Sequence, residues 1–125
     1  MTNAISWFEI PARNFDRARK FYETILDVTI EVSPTSHRER KEGYFPANTN
    51  RGGVGGGLVQ GEGYEPSSLG TLVYLNGGED LSKPLARVES AGGKVVVPKT
   101  SLGPNGFIAF FIDTEGNKVA LHSIK

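Results

Sequence analysis

The chain has 125 residues, with 14 basic and 14 acidic side chains that cancel in net charge, and it contains no cysteine. This length predicts one ordinary domain, and the lack of cysteine excludes disulfides, thiolate metal sites and a cysteine nucleophile. Balanced charge provides no basic field for nucleic acid, and no apolar run approaches the roughly 20 residues of a membrane span. No basic segment followed by an apolar one begins the chain. We therefore expect a cytoplasmic domain without nucleic-acid or membrane partners.

Residues 5–10 alternate in character, which predicts a strand with two different faces. One face carries Trp7 and Glu9, and the other carries Phe8 and Ile10. The second of these faces suits a helix packed against it, so the face with Trp7 and Glu9 is free for another purpose.

An amphipathic helix follows this strand. Pro11 ends the strand, and the side chain of Asn14 or Asp16 can cap the helix N-terminus. Five apolar residues recur at helical spacing: Phe15, Ala18, Phe21, Tyr22 and Ile25. This stripe is predicted to lie on the Phe8 face of the strand.

The middle of the chain predicts further strands over residues 28–32, 41–45 and 53–60. The charged run at 37–42 mixes both signs without aromatic residues, which indicates a solvated hairpin arm rather than a binding patch. The glycines of 52–57 do not form a phosphate loop, because strand residues rather than a helix follow them. Glycines in a strand instead allow a neighbouring backbone to approach or leave room for a ligand.

From Thr71 the order of elements repeats. A strand is predicted from residue 71 to residue 75, and then a helical stripe of Leu81, Leu85 and Val88. Three more strands are predicted over residues 94–97, 106–112 and 118–124. Shifting the chain so that Phe8 falls on Val73 also places Val54 on Val119. We therefore predict an α+β fold of two βαβββ modules, about residues 4–60 and 71–124, with a linker at 61–70.

Three motifs fall in a recognisable order. Arg-Ala-x-x-Phe-Tyr stands at residues 17–22, Ala-Gly-Gly at 91–93, and Asp-x-Glu-Gly-Asn at 113–117 before the last strand. Together they resemble the vicinal oxygen chelate superfamily, which includes glyoxalase I, bleomycin-resistance proteins and extradiol dioxygenases. The resemblance covers nearly the whole chain. It implies curved sheets that form a cup able to hold a divalent metal, and commonly a homodimer.

Metal-dependent members of that superfamily place one ligand on each of the first, fourth, fifth and eighth strands. The resemblance puts these positions at Trp7, Gly55, Leu72 and Ala120. None of these side chains coordinates a divalent metal, so no metal cofactor is expected. Shifting the alignment by two residues would place Glu9, Tyr74 or His122 at one of these ligand positions. One such shift alone would not make a metal site.

Glu9 and His122 are the candidate catalytic residues. The resemblance makes the first and eighth strands neighbours, and alternation places both side chains on the cup face. A carboxylate beside an imidazole can supply general acid or base chemistry. The alternative is a solvated His122, with Glu9 paired to Arg13 or Lys118.

Four side chains are predicted to bind a ligand: Trp7, Glu9, Tyr74 and His122. Trp7 either fills the space that a metal would occupy or forms a stacking wall for a planar ligand. The leading prediction is a metal-independent homodimer that binds a small, partly apolar molecule. One alternative is a metal-dependent lyase or isomerase related to lactoylglutathione lyase (glyoxalase I), acting on an α-keto or thioester-like compound. Another is a subunit that serves mainly for association.

Overall fold

The computed structural model describes residues 3–125, which form an α+β fold. The first half contains β1 (Trp7–Pro11), α1 (Phe15–Leu26), β2 (Glu31–Val32), β3 (Arg40–Phe45) and β4 (Gly55–Gly61). The second half contains β5 (Tyr74–Asn76), α2 (Ser82–Arg87), β6 (Lys94–Ser101), β7 (Phe107–Ile112) and β8 (Lys118–Ser123). Short 3-10 helices lie at Thr49–Arg51 and Gly103–Asn105. The prediction of two βαβββ modules is confirmed.

Each module forms one mixed, four-stranded sheet. The strand orders are β1-β4-β3-β2 and β5-β8-β7-β6, and the pairs β1–β4 and β5–β8 are parallel while the others are antiparallel. The first and eighth strands therefore belong to different sheets, and the expectation that they are adjacent is wrong for a single chain. In each module, the last strand lies between the first and third strands of the same sheet.

Helix α1 joins the two modules through one core. Its buried residues are Phe15, Ala18, Phe21, Tyr22 and Ile25, the predicted stripe. The Tyr22 ring lies 5.5 Å from the Phe45 ring of the first sheet and 6.4 Å from the Phe111 ring of the second. Such aromatic pairs contribute about 1 kcal/mol each beyond the apolar area they bury. The apolar stripe of one helix thus holds both sheets.

The predicted cap of α1 is formed by Asn14. Its side-chain oxygen accepts a hydrogen bond from the backbone N–H of Arg17 at 3.1 Å. Such a cap stabilises a helix by about 1 kcal/mol. At the other end, Asp27 adopts a left-handed conformation and its N–H returns to the Glu23 carbonyl.

The largest differences in strand length from the prediction are in β2 and β6. Strand β2 is only Glu31–Val32 rather than 28–32, because side chains of α1 bind the backbone of Ile30. The Ile30 N–H donates to the Glu23 carboxylate at 2.8 Å, and the Arg19 guanidinium donates to the Ile30 carbonyl at 3.0 Å. Strand β6 extends to Ser101 instead of ending at residue 97, since register shifts on this edge strand accommodate Pro98. Within residues 3–125, no helix has both the length and the hydrophobicity needed to cross a bilayer.

Candidate functional site

Each sheet packs one side on the shared core and turns the other side outward. We call the outward surface of the first sheet, formed by Trp7, Glu9, Tyr44, Gly55 and Gly57, the first face. In register, Trp7 lies opposite Gly55, and Glu9 and Tyr44 both lie opposite Gly57. The second face is the outward surface of the second sheet, formed by Tyr74, Phe110, Lys118, Ala120 and His122.

The Trp7 indole lies across β4 on the first face. A Cβ atom at Gly55 would come within 3.1 Å of the indole Cζ3, and one at Gly57 within 3.4 Å of Cζ2. The Tyr44 ring meets the indole edge-on at 5.9 Å and 67°. Even so, Trp7 is 45% exposed. The glycines therefore let a large ring lie along the sheet with much of its surface open to solvent.

The glycine-rich strand accommodates aromatic rings on both of its sides. The Phe8 ring, on the core side, occupies the space that a Cβ atom at Gly56 would need. On the outward side, the missing Cβ atoms of Gly55 and Gly57 leave room for the Trp7 indole in the same way. Side chains of β1, rather than a neighbouring backbone, thus fill the space that the glycines leave.

The carboxylate of Glu9 stands beside the indole. Trp7 Nε1 donates to Glu9 Oε2 at 3.4 Å, which is long for a hydrogen bond. None of the ion pairs in the described part of the chain includes Glu9. Arg13, one of its expected partners, lies 3.7 Å from Glu65 instead.

The second face carries exposed aromatic surface of its own. Tyr74 is 52% exposed, and its ring meets the Phe110 ring at 6.0 Å and 78°. The Lys118 ammonium lies 6.0 Å from the centre of the same Phe110 ring. This face is therefore an aromatic pair with a cation at its edge.

His122 is held by the loop before β7. Its Nε2 lies 2.7 Å from the backbone carbonyl oxygen of Asn105. Because a carbonyl only accepts, Nε2 must carry the proton, and Nδ1 is left as the atom that can bind a ligand. His122, Tyr74, Leu102 and Ile108 line a cavity of about 540 Å³.

The structure brings the four predicted ligand residues together in two pairs. Trp7 and Glu9 share the first face, and Tyr74 and His122 share the second. Glu9 bonds to the indole and His122 to a backbone carbonyl, so the two candidate catalytic groups are not bonded to each other within residues 3–125. Their joint role stays a prediction.

The expected metal position on the fifth strand needs a correction. Tyr74, not Leu72, lies opposite Ala120, because β5 begins only at Tyr74. In the parallel pair β1–β4 these positions carry the indole of Trp7 and a glycine, Gly55. In the pair β5–β8 they carry the phenol of Tyr74 and the methyl group of Ala120. These donors do not fit a divalent ion, and no group of three potential ligands comes together in residues 3–125. The metal-dependent lyase gains no support from these positions.

The segment 113–117, which carries the motif Asp-x-Glu-Gly-Asn between β7 and β8, is a buried polar junction between the modules. Glu115 accepts backbone N–H bonds from Arg13 at 2.9 Å and Asn14 at 2.8 Å, and two guanidinium bonds from Arg17 at 2.7 and 3.0 Å. Burial acts to raise the pKa of Glu115, but these donors outweigh it and the pKa is lowered. A charged Glu115 thus ties the last turn to the start of α1.

Asp113 and Asn117 complete this junction. The Tyr22 hydroxyl donates to Asp113 at 2.7 Å, and the Asn117 amide donates to the Pro11 carbonyl at 2.8 Å. Burial, followed by the nearby Asp113 charge, raises the pKa of Tyr22 well above its usual value. These bonds link the turn before β8 to β1 and α1 of the first module. The motif is visible in the sequence, but its hydrogen-bond partners lie about 100 residues away along the chain, and no local pattern indicates them.

A second cavity, of about 580 Å³, lies between the modules beside the end of α1. Its lining is apolar at Phe8, Ile25 and Leu75, and Lys83 and Arg87 also line it. It contains none of the four predicted ligand residues.

Comparison with known proteins identifies the fold independently. The family model described as "Glyoxalase/Bleomycin resistance protein/Dioxygenase superfamily" matches residues 4–121. No curated protein sequence matches the chain significantly.

Three solved structures illustrate the likeness. A glyoxalase/bleomycin resistance protein/dioxygenase family enzyme of Burkholderia phytofirmans has 14% identity and a TM-score of 0.71, over 96% of this chain and 98% of that one. A fosfomycin resistance protein of Listeria monocytogenes has 15% identity and a TM-score of 0.67, over 98% and 92%. A glyoxalase I mutant of Zea mays has 21% identity and a TM-score of 0.69, over 94% of this chain and 45% of that one. Identities this low show a shared fold.

Proposed function

Because the chain belongs to the glyoxalase/bleomycin resistance protein/dioxygenase superfamily, we propose that it is a metal-independent, cytoplasmic member that binds a small, planar, partly apolar molecule. The observation that carries the proposal is the Trp7 indole, which lies along the sheet on Gly55 and Gly57 and stays 45% exposed. A plug would bury the ring, whereas a stacking wall must keep one side of it open.

The four proposed ligand residues have different roles. Trp7 stacks on the ligand, and Tyr74 offers a second aromatic surface. Glu9 and His122 Nδ1 accept hydrogen bonds from polar groups at the ligand's edge. The family description, which names glyoxalases, bleomycin resistance proteins and dioxygenases, supports a small molecule as the ligand.

We propose a homodimer because the four residues lie on two different faces of one chain. Setting the first face of one copy against the second face of its partner would unite Trp7 and Glu9 with Tyr74 and His122 in one cup. Exposed aromatic surface on both faces supports such a contact. Sedimentation equilibrium should therefore give twice the mass of the chain, and a monomer at all concentrations would contradict this part of the proposal.

Tryptophan fluorescence tests ligand binding directly, because Trp7 is the only tryptophan. Titration with a library of planar compounds should include at least one that changes Trp7 emission saturably. Calorimetry should then show about fivefold weaker binding of that compound to Trp7→Phe, since the smaller ring gives up about 1 kcal/mol of stacking.

The matched control is Leu69→Ala, which alters an apolar residue that is 82% exposed and outside both faces, and this variant should bind like the unmodified chain. If no planar compound changes Trp7 emission, the indole is filler rather than a wall, and the proposed function is wrong.

A further inference from the structure

We infer that the first face selects a planar organic cation, which stacks on Trp7 and pairs its charge with Glu9. This inference rests on the proposed function, because it assigns a ligand class to the same site. It depends on three features of the first face: an open ring, a carboxylate that forms no ion pair within the described part of the chain, and an excess of negative charge.

The aromatic part of the face is suited to a cation. The indole ring is the strongest aromatic partner for cations among the side chains, and Tyr44 stands edge-on beside it at 5.9 Å. The glycines beneath hold the indole along the sheet, so its π-face is presented to solvent as a flat surface. A planar ligand can cover that surface without moving a side chain.

Glu9 places a carboxylate at the edge of this flat ring. Its one bond in residues 3–125 is the long contact of 3.4 Å from the indole N–H. Other carboxylates nearby have strong partners: Glu115 is bound by Arg17 at 2.7 Å, and Glu42 lies 3.3 Å from Arg40. Glu9 can therefore accept a cationic ligand without giving up an ion pair.

The outward side of the first sheet carries more negative than positive charge. Strand register puts Glu31 opposite Tyr44, Glu42 opposite Val59 and Arg40 opposite Gly61, all on the side of Glu9. Three carboxylates thus meet one guanidinium, and that guanidinium is bound to Glu42 and Tyr64. The hydrogen bonds of Arg40 to Tyr64 and then to Glu42 raise its pKa.

The second face carries positive charge where its strands pair. Lys94 and Lys118 both lie opposite Ile112 there. The neutral sum over the whole chain conceals this separation. A cation in the proposed cup is therefore drawn to the side formed by Trp7 and Glu9, while a neutral ring gains only stacking.

Titration followed by NMR tests this inference, because the single indole N–H of Trp7 gives one signal. The probes are 1-methylquinolinium and quinoline at pH 7.5, which share a ring system and differ by one methyl group and one charge. We expect 1-methylquinolinium to bind about tenfold more tightly than quinoline, since cation–π and ion-pair contributions together approach 1.4 kcal/mol.

Two variants separate charge from shape. Glu9→Gln should weaken the binding of 1-methylquinolinium severalfold, so that only the cation–π preference over quinoline remains, and should leave quinoline binding unchanged. Glu62→Gln, which removes an exposed carboxylate from the turn after β4, should bind both probes like the unmodified chain. High salt should weaken binding of the cation alone.

The outcomes distinguish the cation inference from the proposed function. Equal binding of both probes would overturn the cation inference and leave the proposed function standing. An indole signal that no planar compound moves would contradict both. An indole signal that changes on dilution but with neither probe would mean that the dimer contact fills the first face and leaves no room for a ligand, and the cation inference would be overturned.

Discussion

The first and second faces are built on the same strand order, yet they differ at the residues beside their parallel strand pairs. On the first face Trp7 lies over Gly55, and on the second Tyr74 lies beside Ala120. A glycine lets the indole lie along the sheet, whereas next to Ala120 the Tyr74 ring meets Phe110 edge-on. The methyl group of Ala120, which Gly55 lacks, thus accompanies a different arrangement of the aromatic rings. Duplication has preserved the backbone of the two modules and left their surface chemistry free to diverge.

The largest expected effect comes from breaking the junction that sets the two faces against one core. Glu115→Ala removes the acceptor for two backbone N–H groups and leaves the Arg17 guanidinium without its partner. We expect a loss of about 3 kcal/mol in the free energy of unfolding, measured by urea denaturation. Glu62→Ala, in an exposed turn, is the control and should change stability by less than about 0.5 kcal/mol. Equal losses in both variants would mean that the junction contributes nothing.

A smaller effect should separate the two sides of the glycine strand. Gly56→Ala would force a methyl group into the Phe8 ring in the core, which should cost about 2 kcal/mol in unfolding free energy. Gly55→Ala makes the first face resemble the second, and there the exposed indole can shift outward, so we expect a loss below about 1 kcal/mol with a change in Trp7 emission. The comparison fails if Gly55→Ala is the more damaging substitution or leaves emission unchanged.

The smallest expected effect is a change in acid sensitivity. The pKa of Glu115 is lowered in the folded chain, so its charge stabilises the fold above the usual carboxyl pKa of 4.5, and this contribution is lost as pH falls through the lowered value. Stability measured from pH 6 to pH 3 should therefore decline less steeply in Glu115→Gln than in the unmodified chain.

Asp80, in the second module, provides the comparison for acid sensitivity. Its hydrogen bond from Lys99 lowers its pKa in the same direction, so some acid dependence should persist in Glu115→Gln. Identical pH profiles of Glu115→Gln and the unmodified chain would show that the junction does not depend on the Glu115 charge.

Local patterns were sufficient for most of the architecture. The alternation around Trp7 and the stripe from Phe15 to Ile25 each predict which side of an element is buried, because periodicity reports a face directly. The prediction was less accurate at 28–32, where side chains of α1 bind the backbone instead of a partner strand. It also misplaced the fifth-strand position by two residues, since a shift of two preserves the face and leaves the pattern unchanged.

The candidate site was predicted only in part. Trp7 and Glu9 were assigned to one face correctly, because they are two residues apart on one strand. The partners of Glu115, the position of the indole over Gly55 and the hydrogen bond from His122 to Asn105 all join distant segments. Such contacts depend on how the sheets are packed, which no local pattern records.

By itself, the sequence determined the two modules and the amphipathic helix of the first one. Those properties follow from residue type and spacing alone. Only the tertiary structure decided that Trp7 lies open on a strand of glycines, that Glu9 forms no ion pair with any residue from 3 to 125, and that opposite charges lie on separate faces. These are relations between strands, and strands far apart in the chain acquire neighbours only when the sheets form.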